Sequence, residues 1–182
     1  MHTVYKKGDL YVIYIPIKKP KKATYVSAVS LVVAITLYTV GELAPVPKMP
    51  FQLVALGLIA FGVMLIARYL LTDYKYVITD SDRAGKEPSF SIVKMSGKRE
   101  TPVATFDFVS VYQCDRCKKT SEFEKKYGKV DKVFNYCTNY RADDRYALAI
   151  EFNGMKVLIF IEADVIFERE LVVRSPSTAG GG

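Results

Sequence analysis

Apolar residues fill two stretches of the chain without regard to helical face. Residues 23–41 and 49–67 are each 19 residues long and carry no charge. As helices rising about 1.5 Å per residue, each spans roughly 28 Å, close to the ~30 Å hydrocarbon core of a bilayer. The second run holds ten Leu, Ile, Val and Phe residues, each favouring insertion by about 0.3–0.6 kcal/mol. The first holds eight, with Thr24, Ser27, Ser30, Thr36 and Thr39 among them. Hydroxyls on a helix bond back to carbonyls one turn earlier, so these are tolerated. Packing on the second helix is expected to stabilise the first, with Ser27, Ser30 and Ala34 facing Gly57 and Ala60 where the backbones approach. The short connection, 42–48, contains Pro45 and Pro47, which stop one helix and suit the opening of the next. The pattern predicts an antiparallel transmembrane hairpin over 23–71, with helices at 23–41 and 49–71.

The remaining pattern is mostly period two. Tyr74–Thr79, Ser89–Met95 and Val103–Gln113 read as strands, the last with Phe106, Phe108 and Val111 as buried positions. Lys119–Tyr127 reads as a charged helix ended by Gly128, and Val133–Tyr140 as a further strand. Asn153-Gly154 joins Tyr146–Phe152 to Met155–Glu162, the strongest short-range hairpin signal because both turn residues accept φ > 0. A terminal helix over 164–174 starts at the cap Asp164 and presents Val165, Ile166, Leu171 and Val172. Ahead of the hairpin, Leu10–Ile17 is β-prone and predicts an edge strand, where Pro16 needs no ladder donor. The organisation is therefore an N-terminal segment (1–22), the hairpin (23–71), a β-domain (72–174) and a disordered low-complexity tail (175–182).

Charge then orients the molecule. Residues 1–22 carry net +5, the connection is neutral, and residues 68–182 carry the remaining +2 of the chain's net +7. Lys and Arg concentrate on the cytoplasmic side of membranes. The expectation is a multi-pass protein of the cell membrane with both termini cytoplasmic. Lys18, Lys19, Lys21, Lys22 and Arg68 border the bilayer and are candidate contacts for anionic lipid headgroups, each worth about 1 kcal/mol near a negative surface. Because the excess positive charge sits beside the bilayer, nucleic acid is an unfavoured partner.

Catalytic chemistry has little material. Cys114 and Cys117 form a C-x-x-C and Cys137 lies twenty residues on, but the chain has three Cys and one His, His2. A four-ligand zinc site would need a carboxylate, and no thioredoxin-like context surrounds the pair. The three cysteines are expected to be reduced thiols on a loop and weak metal candidates at most. No G-x-S-x-G, Walker or dinucleotide glycine pattern occurs. No catalytic residue, metal or cofactor is assigned.

The segment Tyr76-Val77-Ile78-Thr79-Asp80, directly after the second helix, is similar to the "Y-x-I-T-D" opening of the bacterial pleckstrin-homology-like membrane proteins. Ser91–Lys94, Gly97-Lys98-Arg99, Phe106–Val111 and the closing hairpin and helix follow in the order of that family. The stretch Cys114–Arg145 is an insertion relative to it. The resemblance implies an α+β membrane protein whose cytoplasmic part is an antiparallel, seven-stranded PH-like split barrel with a C-terminal helix. The function expected is that of a non-enzymatic binding or adaptor protein, anchored in the lipid bilayer, whose β-domain recognises a lipid, a protein partner or a second copy of the chain. Two alternatives are a structural or regulatory subunit of a larger membrane transport or secretion complex, and a cysteine-dependent metal or redox protein.

Overall fold

The computed structural model describes residues 4–7, 11–43, 45, 47–80 and 87–175. It divides the chain into a helical unit, Lys19–Asp73, and a β-unit made of Met1–Lys18 and Tyr74–Gly182. The tail beyond Ser175 and most of the expected 80–88 turn lie outside the described residues.

In the helical unit, α1 (Lys21–Leu43) and α2 (Lys48–Leu65) pair closely, and α2 ends in a wider π turn over Ile66–Leu70. The pair is antiparallel, because Ser27 meets Gly62, Ser30 meets Leu58 and Gly41 meets Phe51. Ser27, Ser30 and Ala34 are buried on the α1 side, together with Ala23 and Gly41. The α2 side differs from expectation. Its buried residues are Ala55, Gly62 and Leu65, whereas Gly57 and Ala60 are exposed and nothing lies within 4 Å of a Cβ built on Gly57. Residues 55 and 62 are two turns apart on one stripe, and 57 and 60 fall on the opposite side. A Cβ on Gly62 would lie 3.3 Å from the Leu31 side chain and 3.5 Å from the Ser27 carbonyl. The hydroxyls are satisfied by backbone: Ser27 donates to Thr24 O, Thr36 to Val32 O, Thr39 to Thr36 O, and Ser30 crosses to Leu58 O at 2.8 Å. Only 22% and 17% of the most apolar stretch of each helix is buried within the chain, so these are not core helices of a folded domain.

The β-unit holds two sheets among the described residues. The first has the order β1 (Val4–Lys7), β2 (Tyr11–Ile15), β3 (Asp73–Thr79), β4 (Ser89–Ser96), β5 (Arg99–Asp107). The second has the order β6 (Val111–Asp115), β8 (Arg145–Phe152), β9 (Met155–Glu162), β7 (Lys132–Asn135). The sheets are bonded separately and no closed barrel forms among these strands. The 103–113 segment is not one strand: a 3₁₀ turn over Phe108–Ser110 carries the chain from the first sheet to the second, with Phe108 buried at the transfer. The β-prone N-terminal segment is not an edge, because β2 lies between β1 and β3. The 133–140 segment is strand only to Asn135, and it runs parallel to β9. The Asn153 and Gly154 turn has φ of 51° and 73°, the two-residue hairpin that the sequence predicts.

One core joins both sheets. Val12, Tyr14, Tyr76, Ile78, Phe90 and Ile92 face Leu148, Ile150, Ile159 and Ile161, with α4 (Val165–Arg174) supplying Phe167 and Leu171. Asp164 caps α4 by accepting from Phe167 N at 2.8 Å. The inward stripe of α4 is therefore Phe167 and Leu171, and Val165 and Ile166 point outward. Phe167 stacks on Tyr14 at 4.5 Å, and burial of such a ring is worth about 1.5–3 kcal/mol.

A second cluster lies on the other face of the second sheet: Ala147, Ala149, Leu158 and Phe160 against Cys117, Cys137 and Phe123 of α3 (Thr120–Tyr127). Both faces of β8 and β9 are covered, so their apolar runs are nearly continuous, while β2 and β3 alternate. The Cys114–Arg145 stretch thus supplies the cover of this sheet.

A buried polar knot closes one end of the β-unit. Both oxygens of Glu162 accept from Asn139, from its backbone N at 2.6 Å and from Nδ2 at 2.7 Å, and Nδ2 also donates to Ile17 O. Tyr76 donates its hydroxyl to Tyr136 O and accepts from Glu162 N; burial pushes that phenol well above its ordinary range. Truncating Asn139 removes its side-chain hydrogen bonds to Glu162 and to Ile17 O, which costs about 2 kcal/mol. Urea unfolding of Asn139→Ala is expected to show that loss, and an unchanged midpoint would contradict the role given to the knot.

Candidate functional site

A mostly apolar groove of about 350 Å³ opens in the β-unit where β5 of the first sheet faces β7, β8 and β9 of the second. Its walls are Val103 and Phe106 on one side and Phe134, Phe152, Met155 and Ile159 on the other. Phe134 is 42% exposed and Phe152 58%, unusually wet for rings that size. β5 and β7 each end their sheet, so the groove runs between two strand edges. A bulge opposite Ile92 and Val93 leaves Val103 without a ladder partner, since Val93 pairs with Pro102 and Ile92 with Ala104. That extra residue sits in the groove wall, and Pro102 is tolerated because β5 is an edge. The arrangement suits an extended, partly apolar segment. The sequence signal was available in Phe134 and Phe152, which keep step with core-facing Tyr136 and with Leu148 and Ile150 but lie beyond the buried run.

In the helical unit, Lys21 and Lys22 lie in the first turn of α1, following Lys19, and Arg68 lies in the final turn of α2, so the antiparallel pair carries its cations at one end. Lys19, Lys21 and Lys22 are exposed; Arg68 is half-buried, its guanidinium 5.7 Å from the Tyr69 ring centre. Lys18 is a half-buried residue of the β-unit. The opposite end is electrically balanced: Glu42 accepts from Lys48 at 2.9 Å and from Gln52 at 2.8 Å. Between the ends, Val32, Ile35, Leu56, Ile59 and Val63 are all exposed.

The three cysteines are free thiols, and two of them, Cys117 and Cys137, lie on connecting loops as expected, but these loops are buried. Cys114 is on β6 beside the main core, while Cys117 and Cys137 are buried in the cluster under α3. Burial, then the neighbouring Asp115 carboxylate, pushes the Cys117 thiol up, which disfavours the thiolate that metal binding and redox chemistry require. Among the described residues no group of three or more His, Cys, Asp or Glu side chains is placed to hold a metal ion.

No protein-family model, no curated protein and no solved structure matches this chain.

The α3 cover is pinned by polar contacts at its ends. Asp115 of β6 accepts from Lys126 Nζ at 2.9 Å and from Tyr127 Oη at 3.0 Å. Burial raises the Asp115 carboxyl, but the hydrogen bonds from Lys126 and Tyr127 outweigh it, and the group titrates below its ordinary 3.8. A carboxyl depressed on folding stabilises the fold above its unfolded value and loses that contribution as pH falls through the folded one. The stability gap between the parent and Asp115→Asn is therefore expected to be full above about pH 5 and to close below 3.8. Urea midpoints across that range check it, and a gap that widened in acid would contradict the assignment.

Proposed function

We propose that this chain is a membrane-anchored, non-enzymatic binding protein whose β-unit lies on the cytoplasmic face of the cell membrane. The observation that carries the reading is where the exposed apolar pair is inserted. The α1–α2 unit interrupts the chain between β2 and β3, and those strands are antiparallel neighbours paired from Tyr11↔Thr79 to Tyr14↔Tyr76. Paired strands must share one side of a membrane, so a helical insert between them crosses twice or not at all. Two helices of 23 residues, apolar on most of their exposed surface, favour crossing twice. The cations Lys19, Lys21, Lys22 and Arg68 at one end and the neutral Glu42–Lys48 pair at the other favour a cytoplasmic β-unit.

The groove between β5 and β7 is the surface we assign to recognition, for a protein partner presenting an extended apolar segment. Two sheets sharing a core with a C-terminal helix support the PH-like reading, while the parallel β7 and the α3 cover depart from it. A membrane fraction washed with alkaline carbonate is expected to retain the protein. Protease added to intact cells is expected to spare the β-unit and protease added to inverted vesicles to digest it. Release by carbonate, or digestion from outside, would defeat the proposal.

One observation favours a second reading, a subunit of a larger membrane transport or secretion complex. Gly57 and Ala60 are small residues turned away from α1, where a helix of another protein can approach. Gly57→Leu leaves the α1–α2 seam intact. Loss of a co-purifying membrane protein in that variant supports the complex, and the parent purified from native membranes without one argues for the adaptor.

A further inference from the structure

A cleft of about 470 Å³ opens in the α3 cover, lined by Lys118, Lys119, Arg141, Ala142, Asp143 and Arg145. Four cations against one carboxylate is a strong imbalance for so small a concavity, and a concave wall focuses the field they create. Positive charge stays in excess even when Glu122, whose carboxylate meets the Lys118 and Lys119 backbone, is counted with Asp143. Lys126 pairs with Asp115 and Arg116 with Glu168, and neither pair involves a cleft cation. Glu122 is committed to the start of α3, accepting from Lys118 N at 2.9 Å and Lys119 N at 3.3 Å. A ligand would therefore be held by side chains, not by the helix terminus.

Arg145 is set in place for that task. Its Nη1 donates to Lys118 O at 2.8 Å and its guanidinium lies 5.1 Å from the Phe160 ring centre, which fixes the group at the cleft wall. Arg141 reaches the same cleft from a backbone with φ of 49°, a conformation in which Asn or Gly is at ease and Arg is not. Its guanidinium also lies over Tyr140, 5.4 Å from the ring centre.

We propose that this cleft binds a phosphate-bearing anion, with Lys118, Lys119, Arg141 and Arg145 as its ligands. A single carboxylate would leave most of the positive charge uncompensated, whereas a phosphate ester or diphosphate supplies two or more charges and several acceptor oxygens suited to guanidinium forks. The site is independent of the groove between β5 and β7 and of whether the helices enter a membrane. Its ligand can be a soluble phosphate compound or a lipid headgroup.

The test uses the full chain in nonionic detergent, titrated calorimetrically with inorganic pyrophosphate at physiological salt. Saturable one-to-one binding is expected, with acetate giving none. The variant K118Q/R141N removes two ligands while easing the backbone at residue 141, so its unfolding midpoint without ligand should not fall and its affinity should drop at least about tenfold. K98Q/K125Q removes two exposed cations outside the cleft and is expected to bind as the parent does. Absence of pyrophosphate binding, parent-like binding by K118Q/R141N, or equal loss in K98Q/K125Q would each overturn the proposal. In nanodiscs, adding about 5% phosphatidylinositol 4-phosphate to neutral lipid distinguishes the sources. Competition that raises the apparent Kd for pyrophosphate identifies a headgroup, and an unchanged Kd identifies a soluble ligand.

Discussion

The constraint on which the molecule depends is the pairing of β2 with β3 across an insertion of more than fifty residues. Strands joined so remotely pay a loop-closure entropy that grows only slowly with length, and the returns are local. Tyr14 and Tyr76 enter the aromatic stack around Phe167, and Ile17 O is tied to Asn139. Because α1 and α2 form their own seam, the inserted segment is a second folding unit and not a floppy loop. The β-unit can then close as though residue 15 continued directly into residue 73.

A second consequence is the asymmetry of the two sheets. The first has one buried face and alternates; the second is buried on both faces and does not. Small residues at Ala147 and Ala149 leave room for Phe123 of α3 and for Cys117 and Cys137. The stretch between β6 and β8 thus carries the cover of the second sheet, and the cationic cleft lies within it.

Much of this was legible from residue order. The two long apolar runs, the Asn153-Gly154 turn, the Asp164 cap and the helix ended by Gly128 each rest on local chemistry, and local chemistry is what a sequence displays. The misreadings share a different cause. The break at Phe108 shows only as a step of three between buried Phe108 and Val111, which one strand of period two does not allow but which the alternation on either side obscures. Gly57 and Ala60 looked like the close-packing residues because they are small, but the helical period set by Ala55 and Gly62 places them on the far side. The parallel β7 and the β5–β7 groove depend on which strands end each sheet, a non-local fact. The continuous apolar runs of β8 and β9 carry the signal for two covered faces, which reading them as a plain hairpin misses.

The chain contains no tryptophan, so a single introduced indole reports its surroundings alone. With Trp placed in turn at Val32, Leu43 and Ile59, all exposed on the helical pair, the protein is reconstituted into vesicles whose lipids carry bromine at known depths. The account predicts blue-shifted emission at residues 32 and 59, quenched most by bromine near the bilayer centre, and shallow quenching at residue 43. Emission at all three positions that matches water and ignores the brominated lipid would contradict it.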